Sequence, residues 1–112
     1  MLFRSRLRAL GITSAQRVDY APDMPTIAEA GVPDFEAYIW YAVYGPRALP
    51  APLMQRWNDA ANRYLKSPQA QQDLRNSYMT GVGGTPEWFA QYHLKEIKRW
   101  AVAVAGAGIK PQ

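Results

Sequence analysis

The sequence contains no cysteine, which excludes a disulfide framework, thiolate metal ligation and a cysteine nucleophile. Histidine is almost missing too. His93 is the only one, and one imidazole among scattered acids is a poor metal-ligand set. There is no apolar run of the roughly 18 residues that a membrane-spanning helix needs. The charged stretch from Met1 to Arg8 is not followed by the apolar core of a secretory leader. If Met1 is the true start, a cytoplasmic location is expected. Ser5, Ser14, Ser67 and Ser77 lack the strand–turn–helix glycine setting of a nucleophile elbow. Gly81-Val82-Gly83-Gly84 follows a helical pattern and has no phosphate-loop lysine, so it reads as a plain connector. No catalytic residue, metal site or cofactor is expected, and the chain reads as a non-enzyme.

What is present is enough to fold. The chain has 112 residues, 48% of them hydrophobic, with nine prolines and eight glycines punctuating well-patterned segments. That length fits one domain or part of one. The net charge is +4. Arg4, Arg6 and Arg8 alternate, as on one face of a strand. With no nucleic-acid-binding motif beside them, they read as a solvated edge and not as a nucleic-acid surface.

Residues 7–13 form a short apolar run that suits a buried strand. Thr26 and Glu29 have the spacing of a capping box, which predicts a helix of one to two turns stopping at Gly31. Residues 35–44 (FEAYIWYAVY) carry the strongest strand signal, apolar on both faces and ended by Gly45-Pro46. After Pro50 and Pro52 the period becomes helical. Leu53, Trp57, Ala60, Ala61, Tyr64 and Leu65 form one stripe. Ser67-Pro68 caps and restarts a shorter helix bearing Ala70, Leu74 and Tyr78. Thr85-Pro86-Glu87 starts the longest helix. Its expected buried stripe is Phe89, Tyr92, Ile97, Trp100 and Val104, and its end is expected at Gly106 or Gly108.

Two groups of side chains could carry function. His93 and Glu96 share a helix three residues apart and could in principle act as an acid–base pair; an ordinary amphipathic-helix histidine is the simpler reading. Tyr38, Trp40, Tyr41 and Tyr44 combine apolar area with hydrogen-bonding tips, which suits a pocket or an interface, although such clusters are more often core.

Taken in order, several motifs resemble the Bug-type receptors of tripartite tricarboxylate transporters. Arg8 to Ser14 is similar to their "RALAVTS" strand, and Pro22 to Gly31 to their "PDVPTxxEAG" signature. Trp40-Tyr41 with Gly45-Pro46 resembles "WYGxxAP", and Asn58-Asp59-Ala60 with Leu65 to Pro68 resembles "LNxA…LxSP". Gly84 to Phe89 resembles "GTPEEF". Glu96 to Trp100 and Ala107 to Pro111 resemble the closing "ExxxWxxxxxxAGIKP". The chain departs from the pattern at Ala42, where the family usually has glycine. It departs again at Leu49, where threonine usually caps the first long helix; that loss should weaken the helix by about 1 kcal/mol.

The resemblance covers the C-terminal third of such a receptor. It implies an α/β fold (α+β if isolated): a small sheet including a long hinge-type strand, covered by three C-terminal helices, within a two-lobed periplasmic-binding-protein architecture. The single domain 1–112 would then comprise second-lobe strand, loop and crossing strand (1–44) and the helical part of the first lobe (45–112). Trp40, Tyr41 and Tyr44 would border the cleft as ligand-binding residues. The implied function is that of a solute-binding receptor relative for small carboxylates, periplasmic in the family, without a complete ligand site unless the missing lobe is supplied. The alternative is a self-associating protein, a homo-oligomer that covers its own apolar faces.

Overall fold

Side-chain caps set where two of the helices begin. In the computed structural model, which describes residues 8–109, three α-helices follow one another: α1 (Ala51–Leu65), α2 (Pro68–Asn76) and α3 (Pro86–Gly106). Ser67 caps α2 by accepting from the Ala70 N–H at 3.2 Å, and Thr85 caps α3 by accepting from the Trp88 N–H at 3.1 Å. Each is followed by proline at the first helical position, where a missing N–H costs nothing. At α1 the cap position is Pro50, one residue beyond Leu49, and no side chain caps it.

The helix ends share a second device. The Gly108 N–H donates to Ala105 and the Ile109 N–H to Val104, the paired bonds of a Schellman motif closing α3. At the end of α2 the same pair runs from Tyr78 to Arg75 and from Met79 to Leu74. The left-handed position there is held by a tyrosine, Tyr78, at φ 56°.

The chain divides into two compact units, Met1–Tyr44 and Gly45–Gln112. In the first, Ile12 and Thr26 form an isolated parallel bridge. The Ile12 N–H donates to Pro25 and the Ile27 N–H to Ile12, both at 2.9 Å. The capping box forms as its spacing predicts. The Glu29 N–H donates to Thr26 Oγ1 at 3.0 Å, and the Thr26 N–H to Glu29 Oε2 at 2.7 Å. What it caps is a single turn, closed by Gly31 at φ 123° with Val32 N–H to Ile27 as the longer bond. Glycine suits this position because a Cβ penalises the left-handed region.

Two sequence expectations need correction. No strand forms among the described residues. Among the described residues, 35–44 carry no ladder, and the Ala37 N–H, donating to Thr13 at 2.8 Å, ties their start to the run 7–13, of which residue 7 lies outside the described residues. A strand apolar on both faces needs neighbours for its backbone and its side chains, and the described residues supply too few. The helical stripes are not buried either: α1 has no buried residue, and Trp57, Ile97 and Trp100 are all exposed. Ala70 is the single buried hydrophobic residue among those described. Amphipathic spacing marks a face made to be covered; it does not provide the cover.

Candidate functional site

The expected site residues lie in the stretch 35–44, and their exposure alternates. Trp40 is half-buried and Tyr38 just exposed, whereas Ile39, Tyr41 and Val43 are 89%, 82% and 90% exposed. Tyr44 is exposed as well. Period-two exposure is the signature of extended backbone. Tyr38 turns its phenol toward the loop after Thr13, where its oxygen accepts from the Ala15 N–H at 2.8 Å. Beside it the Ser14 hydroxyl donates to the Gln16 carbonyl at 2.6 Å. Sequence reasoning placed Tyr38 in the aromatic cluster but had no signal for this bond, because its partner lies 23 residues away.

The signature turn in the same unit is braced by charge. Arg17 Nε sits 3.0 Å and 3.2 Å from the two oxygens of Glu29, and its terminal nitrogen donates to the Pro22 carbonyl at 3.2 Å. The Glu29 carboxyl is held below its ordinary value of 4.5, first by the Thr26 N–H and then by the Arg17 guanidinium. Glu29 therefore serves the cap and the ion pair together. Arg17 lies 12 residues from Glu29, too far along the chain for local spacing to pair them.

In the helical unit the glycine connector proves to be pinned. The Asn62 amide pairs with Gly84 in both directions, donating to its carbonyl and accepting from its N–H, each at 2.9 Å. Asn58 adds a donation to the same carbonyl at 3.0 Å. A Cβ on Gly83 would lie 2.5 Å from Asn62 Oδ1, at a backbone φ of 66°. One on Gly81 would press on Leu74 and Leu65 at 3.0 and 3.1 Å. The connector is thus shaped by close approach, with Asn58 and Asn62 both bonded to Gly84.

The one histidine stacks on Phe89, with ring centroids 5.8 Å apart. Glu96, only 3% exposed, accepts from Trp100 Nε1 at 3.2 Å and pairs with Arg99 at 3.2 Å. The guanidinium of Arg99 lies over the Trp100 ring. This trio ties successive turns of α3 together and explains the Glu-x-x-x-Trp spacing as structure. Among the described residues no three His, Asp or Glu side chains gather as a metal site, and no helix is long and apolar enough to cross a membrane.

Comparison with known proteins matches these features in one family. The family model described as the tripartite tricarboxylate transporter family receptor matches residues 2–109. A UPF0065 protein from the tcbD-tcbE intergenic region of a Pseudomonas species is 36% identical over 100 residues, 88% of this chain and 30% of its own. Protein BugT of Bordetella pertussis is 35% identical over 104 residues, covering 93% of this chain and 32% of its own. Among solved structures, R. palustris Rpa4515 with adipate is similar at a TM-score of 0.77 and 34% identity. That match covers 91% of this chain and 34% of the other. The chain therefore spans about a third of the length of these relatives. The order of its motifs, its fold and its sequence together make it a member of the tripartite tricarboxylate transporter receptor family.

Proposed function

We propose that this chain is the hinge-side and C-terminal helical portion of a solute-binding receptor for small carboxylates and that, alone, it holds no complete ligand site. The observation that carries this reading is the adipate-bound R. palustris relative, a third of whose chain accounts for nearly all of this one. In this reading residues 1–44 supply second-lobe strand, loop and crossing segment, and 45–112 supply first-lobe helices; the unit boundary at Tyr44–Gly45 supports that division. Trp40, Tyr41 and Tyr44 border the cleft, where aromatic rings cover the methylene chain of a dicarboxylate. The anion-binding groups come from the portion not present, so binding requires that portion in trans. The test is calorimetry with adipate and a panel of di- and tricarboxylates. The chain alone should give no heat, and heat should appear on adding the N-terminal two-thirds of a relative. Micromolar affinity of the isolated chain, about −8 kcal/mol, would overturn the reading.

A second reading is favoured by the amount of surface left uncovered. Among the described residues Ile39, Tyr41, Val43, Trp57 and Val102 are each more than two-thirds exposed, from 68% to 90%. Contiguous apolar side chains left in water favour an association that covers them. Self-association is one way to cover them.

A further inference from the structure

We infer that the Tyr38 hydroxyl contacts the ligand, donating its proton to one carboxylate of the bound solute, with Trp40 covering the adjoining methylenes. This rests on the receptor reading above and names two side chains of its site. Tyr38 is 40% exposed, and its oxygen accepts from the Ala15 N–H at 2.8 Å. A phenol that accepts still has one O–H to donate. The approaching N–H turns the phenolic proton away from itself, and a residue this exposed leaves room for an outside acceptor.

The hydroxyl is held in place by bonds made inside one unit of the chain. One residue before it, the Ala37 N–H donates to Thr13 at 2.8 Å. The Ser14 hydroxyl closes on the Gln16 carbonyl at 2.6 Å, and Arg17 ties the loop onward to Glu29 and Pro22. Tyr38 therefore meets a braced loop, and a donor fixed in advance loses little freedom when a ligand arrives. On the receptor reading, residues 14–17 follow the carboxyl end of a second-lobe strand that finishes at Thr13. Open α/β sheets take their ligands just beyond such strand ends.

A carboxylate is the acceptor that gains most from this donor, because a hydrogen bond to an ionised oxygen is about twice as strong as a neutral one. Trp40 stands two residues on, about 7 Å along extended backbone. It shares with Tyr38 the less exposed side of the alternation, so its ring lies beside the methylenes next to that carboxylate. Tyr41, 82% exposed, leaves from the other face and takes no part at this end of the ligand. One neutral donor does not hold a dianion, so the remaining anion-binding groups still come from the portion not present.

In the chain alone, Tyr38→Phe should speed hydrogen exchange of the Ala15 amide. Unchanged exchange overturns the inference, because the phenol is then not held at the loop. The contact itself is tested by calorimetry with adipate on the chain assembled with the N-terminal two-thirds of a relative. Tyr38→Phe should weaken binding roughly ten- to hundredfold, as loss of a hydrogen bond to a charged group does. Trp40→Ala should weaken it as well, and Tyr41→Ala much less. Since Tyr38→Phe also removes the acceptor for Ala15, a second substitution separates contact from positioning by its sign. A fluorinated tyrosine in place of Tyr38, at a pH where the phenol stays protonated, is a stronger donor and a weaker acceptor. Adipate should bind that variant more tightly than the unsubstituted chain. Equal or lower affinity overturns the donor role and leaves the receptor reading standing. No heat from the unsubstituted assembly overturns both.

Discussion

Glu29 shows how much one side chain can hold in a chain with so little core. Its carboxylate accepts from the Thr26 N–H and faces Arg17, each side chain of the ion pair being 47% exposed. Both interactions favour the charged form, so the folded-state value lies below 4.5. A lowered carboxyl contributes stability that is fully present above its unfolded value and is lost as pH falls through its folded value. The loss therefore falls below pH 4.5. A carboxyl-carbon NMR titration should place the Glu29 midpoint below that value, and Arg17→Ala should move it upward. A midpoint that does not respond to Arg17→Ala would show that the ion pair is not formed in solution. The capping-box half of this arrangement was legible in sequence, because its partners are three residues apart and the geometry is local. The Arg17 half was not, since charge order along a chain does not say which distant pairs meet.

At the scale of elements, caps and stops were the most legible features and close approaches the least. Ser67, Thr85 and Gly108 act as their local chemistry predicts. The connector after α2 illustrates the opposite. Its glycines announce freedom, yet Gly83 is there because Asn62 leaves no room for a Cβ. Gly83→Ala should destabilise the helical unit by about 1–3 kcal/mol, from a left-handed backbone plus the displaced Asn62 amide, read as a lower midpoint in thermal denaturation. Tyr78 should behave in the reverse sense. A bulky residue at φ 56° is strained, so Tyr78→Gly should be more stable than Tyr78→Ala by about 0.5–1 kcal/mol, the relief outweighing the entropy that glycine adds to the unfolded chain. A thermal midpoint for the glycine variant at or below that of the alanine variant would overturn the strain argument. Residues 35–44 were read as a strand from composition, and their alternating exposure keeps that period. The ladder is missing because a ladder belongs to two segments, and composition describes only one.

For the whole molecule, the sequence by itself determined the helices, their caps and stops, the signature turn and the family. Each of these depends on residues a few positions apart, or on an order of motifs that survives without tertiary contacts. Only the tertiary structure decided what those elements do once formed. The apolar stripes of α1 and α3 stay largely exposed, residues 35–44 form no sheet with the other described residues, Asn62 closes on the connector, and Glu96 turns to Arg99 and Trp100. The physical reason is that amphipathic pattern specifies a face and not its complement. Hydrophobic stabilisation follows the area removed from water, and that area exists only when a second surface arrives. This chain encodes one side of such an encounter, and the nature of the other side decides between a receptor portion and a self-pairing module.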